Sequence, residues 1–265
     1  MQVDKRLEEF YARQNEDERL TSQSGRIEFI VTTHYIDKYL KPGDRILEVG
    51  AATGRYSLHY AHKGYQVDAV ELVKGNLDVL EQHILPDDNI TVRQGNALDL
   101  SVFKDETFDV VLVLGPMYHL FTDKDKLQCL SEAYRVAKKG GIVFVAYVQF
   151  DSAMIHFAFD RGQYDFVLEN KLLDEERLVP IPNPDNVIEV CRKQDVDRLD
   201  KHFSWTRLHY VGTDMFTHYF PQKVDEFDEK MYNRYVRYTL SICENEELVG
   251  VSDHSLDILA VNNKQ

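Results

Sequence analysis

Between residues 44 and 148 the chain alternates short, continuous apolar runs with longer stretches in which apolar residues recur every three or four positions. The short runs, residues 45–49, 66–70, 90–93, 110–114 and 142–147, predict strands. Run 110–114 is almost wholly valine and leucine, as befits a central parallel strand covered on both faces. The stretches 57–62, 75–84 and 124–136 predict helices, the last with Leu127, Leu130, Ala133, Tyr134 and Ala137 on one stripe and a stop at Lys138-Lys139-Gly140-Gly141. Strands that alternate with helices build parallel crossover units, so the pattern predicts an α/β fold with a doubly wound sheet.

The flanks depart from that rhythm. Residues 3–20 and 26–39 predict two helices separated by the polar break 21–25, with Ile27, Ile30, Val31, Tyr35 and Ile36 facing inward, and these helices are expected to cover a pocket. Residues 149–202 run from aromatic to acidic to proline-broken sequence, and a connection of that length reads as a substrate lid. Strand 205–211, helix 224–244 and strand 256–261 follow, the helix packing through Phe227, Met231, Tyr235, Tyr238 and Ile242. The chain of 265 residues thus divides as one domain: a helical cover 1–42, a ligand-binding core 43–148, a lid 149–202 and a strand–helix–strand unit 203–265.

The chemistry concentrates where the first strand ends. Glu48 precedes Gly50 by two residues, Gly54 follows four later, and Glu71 closes the second strand at 71 − 50 = 21 positions from Gly50. An acid at about that distance meets ribose hydroxyls in doubly wound nucleoside sites. The dinucleotide pattern G-x-G-x-x-G fails, because Ala52 stands at the second glycine and Gly54 comes one residue early, and the phosphate-loop pattern fails at Arg55 and Tyr56. The segment resembles the first motif of class I S-adenosylmethionine-dependent methyltransferases, an acid and an apolar residue before G-x-G-x-G, with Ala52 replacing the middle glycine. Alanine is tolerated there if its φ is negative. Two further tracts carry the resemblance: Gln94-Gly95-Asn96-Ala97-Leu98-Asp99-Leu100, similar to the family's adenine-contacting segment, and Leu114-Gly115-Pro116-Met117-Tyr118-His119-Leu120 after the fourth strand.

The resemblance implies a Rossmann-like, seven-stranded sheet, mostly parallel with an antiparallel last strand, and S-adenosyl-L-methionine as cofactor. It places Glu48, Gly50, Ala51, Gly54, Glu71, Leu72, Asn96, Ala97 and Leu114 at the cofactor, with the Asn96 amide on adenine. The implied reaction is in-line methyl transfer to a small-molecule acceptor. His119, four residues past Gly115 at the sheet's carboxyl edge, is the candidate general base. Tyr118, Tyr147, Phe150, His156, His209 and Asp214 are candidate acceptor-site residues, because they follow the later strands or lie in the lid. Tyr11 and Arg26 are candidates for the cofactor's methionine end. A catalytically silent adenosylmethionine-binding partner and a protein methyltransferase are the alternative functions, with a dehydrogenase further off.

Net charge of −14 without a basic tract repels a phosphate backbone, so duplex nucleic acid is not an expected partner. No apolar run approaches the roughly 20 residues that span a bilayer, and the charged start Met1–Phe10 is not a signal peptide, so neither membrane nor export is expected. Cys129, Cys191 and Cys243 are widely spaced and odd in number, which suits reduced thiols and a cytoplasmic location. His59 and His62 lack further ligands at metal spacing, and Asp123 and Asp125 lack the rest of a calcium loop, so no metal site is expected.

Overall fold

Nine strands appear in the computed structural model, which describes residues 5–14 and 16–262: β1 (Arg45–Val49), β2 (Gln66–Glu71), β3 (Ile90–Gln94), β4 (Phe108–Val113), β5 (Ala137–Val148), β6 (Leu173–Asp174), β7 (Val179–Pro180), β8 (Trp205–Gly212) and β9 (His254–Val261). Seven of them form one sheet in the order β3-β2-β1-β4-β5-β9-β8, and β6 and β7 make a separate hairpin. The first five pair in parallel, whereas β9 runs antiparallel to both β5 and β8. The order reverses direction at β1, where β2 lies on one side and β4 on the other, and ligands of open α/β sheets bind at such a switch point.

Alternation along the strands sorts the core into two layers. Leu47, Val49, Val111, Val113, Val143, Val145 and Leu259 face helices Asp123–Val136 and Lys193–Asp200. Ile46, Val110, Leu112, Phe144, Leu256 and Ile258 face helices Gly25–Tyr39, Arg55–His62 and Glu229–Ile242. Helix Lys193–Asp200 buries Val196 and Leu199 against the sheet, so the end of the expected lid is a covering helix of the core. The rest of the insertion packs around its own small cluster of Phe150, Ala158, Val167 and Leu173.

Several boundaries differ from expectation for local reasons. The N-terminal segment forms two helices, Lys5–Arg13 and Glu16–Arg19, and Val3 at its expected start lies outside the described residues. Thr122 caps helix Asp123–Val136 by accepting the Asp125 N–H at 3.1 Å, while Asp125 takes the Thr122 hydroxyl proton in return. The stretch expected as helix 224–244 is two helices, Pro221–Asp225 and Glu229–Ile242, because the Asp228 carboxylate accepts the Met231 N–H at 2.7 Å and starts a new helix. Phe227, Tyr235 and Ile242 of the expected stripe pack against the core, but the fully buried residues are Tyr232 and Thr239, and Met231 and Tyr238 are 45% and 54% exposed.

Candidate active site

Glycine at two positions shapes the loop after β1. Gly50 has φ of +74°, and a Cβ there would stand 2.7 Å from the Pro116 ring of the loop after β4. Gly54 has φ of +88°, and a Cβ would meet Leu80 Cγ at 2.6 Å, so its missing side chain lets helix Lys74–Gln82 pack beneath the loop. Gly54 therefore supports the loop from below and does not line the cavity. Ala52 holds φ of +48°, so the condition of negative φ for an unstrained alanine is not met, and its N–H is donated to Glu71 Oε2 at 2.7 Å. A left-handed alanine costs about 1–2 kcal/mol. Replacing Ala52 with glycine removes that strain but loosens the unfolded chain, so a net stabilisation of about 0.5–1 kcal/mol is expected in denaturant melts.

A cavity of about 200 Å³ opens between the carboxyl ends of β1, β2 and β4. Glu48, Gly50, Ala51, Glu71, Leu72, Asn96, Ala97 and Leu114 line it, together with Tyr118 and His119. Glu71 is buried, its Oε1 accepting the Val73 N–H at 2.8 Å and its Oε2 the Ala52 N–H. Burial raises its pKa, and those backbone donors oppose the shift. Each carboxylate oxygen retains a second lone pair for a ligand. Asn96 Oδ1 accepts the Leu98 N–H at 2.9 Å, which fixes the amide in a local turn. Glu48 accepts the Ser57 hydroxyl proton, and burial pushes its carboxyl up to about 8.

The cover comes from the N-terminal helices and from the insertion. Leu7, Tyr11, Glu16, Arg19 and Leu20 line the cavity, as do Asn186 and Val187 of the insertion. Arg6 pairs with Asp185 at 3.1 Å across the top. His119 Nδ1 lies 2.8 Å from the Val187 carbonyl, which can only accept, so Nδ1 carries the proton. Nε2 is then the acceptor, and it takes the Tyr11 O–H at 2.8 Å. Burial lowers the His119 pKa, which keeps the imidazole neutral, and the same burial raises the Tyr11 pKa. Tyr118 donates to the Leu114 carbonyl at 2.9 Å and separates this cavity from a second chamber.

That second chamber measures about 460 Å³, within the usual range for small-ligand sites. It shares Tyr11, Glu16, Arg19 and Tyr118 with the first, and Glu28, Arg161, Asp214, His218, Asp253 and His254 wall its far side. Arg19 pairs with Glu28 at 2.6 Å. Burial disfavours a charged His254, yet Glu28 and Asp214 override it and bring the imidazole up to about 10.

Besides Gly54, five expected site residues line neither chamber. Tyr147 faces the opposite layer of the core with Val143 and Val145, as its place in the alternation of β5 requires, and its hydroxyl is buried without a partner among the described residues. Phe150 turns into the insertion's own cluster beneath the Arg192 guanidinium, 4.5 Å from its ring. His209 sits three residues short of the end of the outer strand β8, tied to Tyr39 at 2.7 Å and Glu244 at 3.1 Å. Arg26 is exposed on helix Gly25–Tyr39 outside both chambers. His156 stands behind the second chamber, its ring 5.3 Å from that of His218. Sequence reasoning missed Arg19, Glu28, His218, Asp253 and His254. The Asp214-x-x-x-His218 spacing and the adjacent pair Asp253-His254 at the start of a strand were the available signals.

Among the described residues no helix is long and apolar enough to cross a membrane. All three cysteines are buried and free.

Residues 47–145 match the family described as "Methyltransferase domain". A demethylmenaquinone methyltransferase of Symbiobacterium thermophilum is 36% identical over 121 residues, 43% of this chain and 44% of that protein. A putative ribosomal RNA large subunit methyltransferase of Methanocaldococcus jannaschii is 35% identical over 91 residues, 32% of this chain and 24% of that protein. The chain thus spans less than half the length of these curated relatives. Among solved structures, a Thermotoga maritima S-adenosylmethionine-dependent methyltransferase, described as a possible histamine N-methyltransferase, superposes with a TM-score of 0.60 at 20% identity, covering 99% of this chain and 100% of that one. The glycine loop after β1, the acid that ends β2 and the strand order agree with these matches: residues 47–145 carry a methyltransferase domain, set in the fold that solved S-adenosylmethionine-dependent methyltransferases share.

Proposed function

We propose that the chain transfers a methyl group from S-adenosylmethionine to a small-molecule acceptor held in the second chamber. The observation that carries this reading is the junction of the two cavities at Tyr11 and Tyr118, which sets an acceptor-sized chamber against the cofactor cavity. Bound adenosylmethionine supplies a methyl group already activated by its sulfonium. The donor chemistry of the first cavity suits it: Glu71 for the ribose diol, Leu72, Ala97, Leu98 and Leu114 as apolar walls for the base, and Glu48 for the positively charged amino-acid end.

The remaining work of the protein is to position the acceptor and exclude water, which can lower the barrier by about 7–11 kcal/mol. Leu7, Leu20 and Val187 add apolar lining to the cavity, which serves that purpose. The Tyr11 oxygen faces the junction while its proton goes to His119 Nε2. An acceptor O–H or N–H placed on the Tyr11 oxygen thus has a route for its proton through tyrosine to a neutral imidazole. His119 acts as base from behind Tyr11.

Glu48 sets a pH dependence. Its carboxyl holds a proton up to about pH 8 in the folded protein, well above its ordinary value of about 4.3. Between those values the folded state binds the proton and the unfolded state does not, so Glu48 makes the free protein less stable as pH rises through the window. Pairing with a cationic ligand favours the ionised form, so adenosylmethionine affinity should rise between pH 6 and 8, by up to about tenfold per unit, and Glu48→Gln should flatten that rise. Calorimetric titrations at several pH values measure it, and a pH-independent wild-type affinity would remove Glu48 from this role.

The acceptor is tested with labelled adenosylmethionine and a metabolite extract. Label recovered in a small, mass-identified product supports the reading. Label in precipitated protein would instead favour a protein acceptor, for which the charge of −14 would attract a basic segment. One relative is named for ribosomal RNA, but the same charge disfavours a polyanionic acceptor here.

A further inference from the structure

At the carboxyl edge of the sheet, where β8 ends and β9 begins, four side chains from two segments converge: Asp214 and His218, and Asp253 and His254. We propose that they form a binding site for a divalent transition-metal cation of the zinc class. Asp214 Oδ2 lies 2.8 Å from His254 Nδ1 and 3.2 Å from His218 Nε2. Asp253 Oδ2 lies 3.3 Å from His218 Nε2 and 3.8 Å from His254 Nδ1. One ligand atom from each of the four falls within 4.8 Å of all the others. Ligands about 2.0–2.2 Å from a tetrahedral zinc ion stand roughly 3.3–3.6 Å apart, so small side-chain shifts would close the set around an ion. Two imidazoles with two carboxylates suit zinc and its first-row neighbours better than calcium or magnesium, which take oxygen ligands.

The surroundings are built as a ligand shell is built. Asp214 Oδ1 receives the Ser252 hydroxyl at 2.6 Å, the Asp253 N–H at 2.8 Å and the His254 N–H at 3.3 Å. Those donors fix the carboxylate and leave Oδ2 aimed at the two imidazoles, the outer-shell restraint that orients metal ligands. Glu28, 3.8 Å from His254 Nδ1 and paired with Arg19, adds negative charge nearby. All four groups line the second chamber, so an ion has an entry path. Imidazole–carboxylate pairing without metal would use the same contacts, and the experiment separates the two.

The full-length protein, stripped with a chelator, is titrated with ZnCl2 by calorimetry and with Co2+ by visible absorption. A single equivalent of Zn2+ and a tetrahedral Co2+ spectrum are expected, with His218→Ala weakening Zn2+ at least about 100-fold and Ser252→Ala about tenfold. Should His218→Ala fail to fold, the partly exposed Asp253→Asn carries the same test, with circular dichroism confirming its fold. An absent heat of binding, or titrations unchanged in His218→Ala and Asp253→Asn, would overturn the proposal and leave an ion-paired cluster without metal. The readout does not involve methyl transfer, so it stands or falls apart from the proposed activity.

Discussion

Glu71→Ala is expected to weaken adenosylmethionine binding by between about tenfold and several hundredfold, the largest effect of any single change at the site. A hydrogen bond to a charged group is worth about 1.5–3 kcal/mol, and each 1.4 kcal/mol is a factor of ten in affinity. Glu71 also holds the Ala52 and Val73 N–H groups, so part of the loss will come from a loosened loop. Calorimetry gives the affinity and a thermal melt separates the loop's share. An unchanged dissociation constant would show that this acid does not grip the ligand.

The second large effect is on turnover. His119→Ala should lower kcat about 100-fold or more while changing cofactor affinity less than about threefold, because proton removal contributes about 10² to 10⁴ and His119 acts through Tyr11. Tyr11→Phe should reproduce the loss, since it cuts the route at its first atom, and the double variant should be no worse than either single one. If His119→Ala abolished cofactor binding and left kcat of the bound fraction intact, the residue would be a structural support for the insertion at Val187.

How far these features could be read from the chain depended on how local their causes are. Strands β1, β2 and β4 were legible because both faces of the sheet are buried there, which forces continuous apolar runs such as Val110–Val113, whereas edge strand β3 showed itself only by its half-buried Ile90 and Val92. The cavity after β1 was legible because backbone shape there depends on Gly50 and Gly54, and because Glu71 ends its strand at a fixed distance from Gly50. Ala52 was misjudged for the opposite reason: its φ is imposed by the bond to Glu71, a contact 19 residues away.

The second chamber was illegible as a unit. Its polar groups come from residues 19, 28, 161, 214, 218, 253 and 254, brought together only when β9 inserts antiparallel between β5 and β8. Tyr147 was misplaced because β5 continues through it to Val148, so it alternates with Val143 and Val145 into their layer of the core instead of leaving the strand's end. His209 was misplaced because β8 continues three residues beyond it before the chain reaches the sheet's edge. Helix stripes suffered similarly. The Asp228 cap restarts the helix and turns Met231 and Tyr238 toward solvent.

The central claim is that the carboxyl ends of β1, β2 and β4 hold an adenosine bearing a sulfur-linked amino acid, and a crystal soaked with S-adenosylhomocysteine or sinefungin tests it most directly. The account predicts ribose hydroxyls on Glu71 and the base between Leu72 and Ala97. Density for the ligand anywhere else, or an empty cavity beside another bound small molecule, would contradict it.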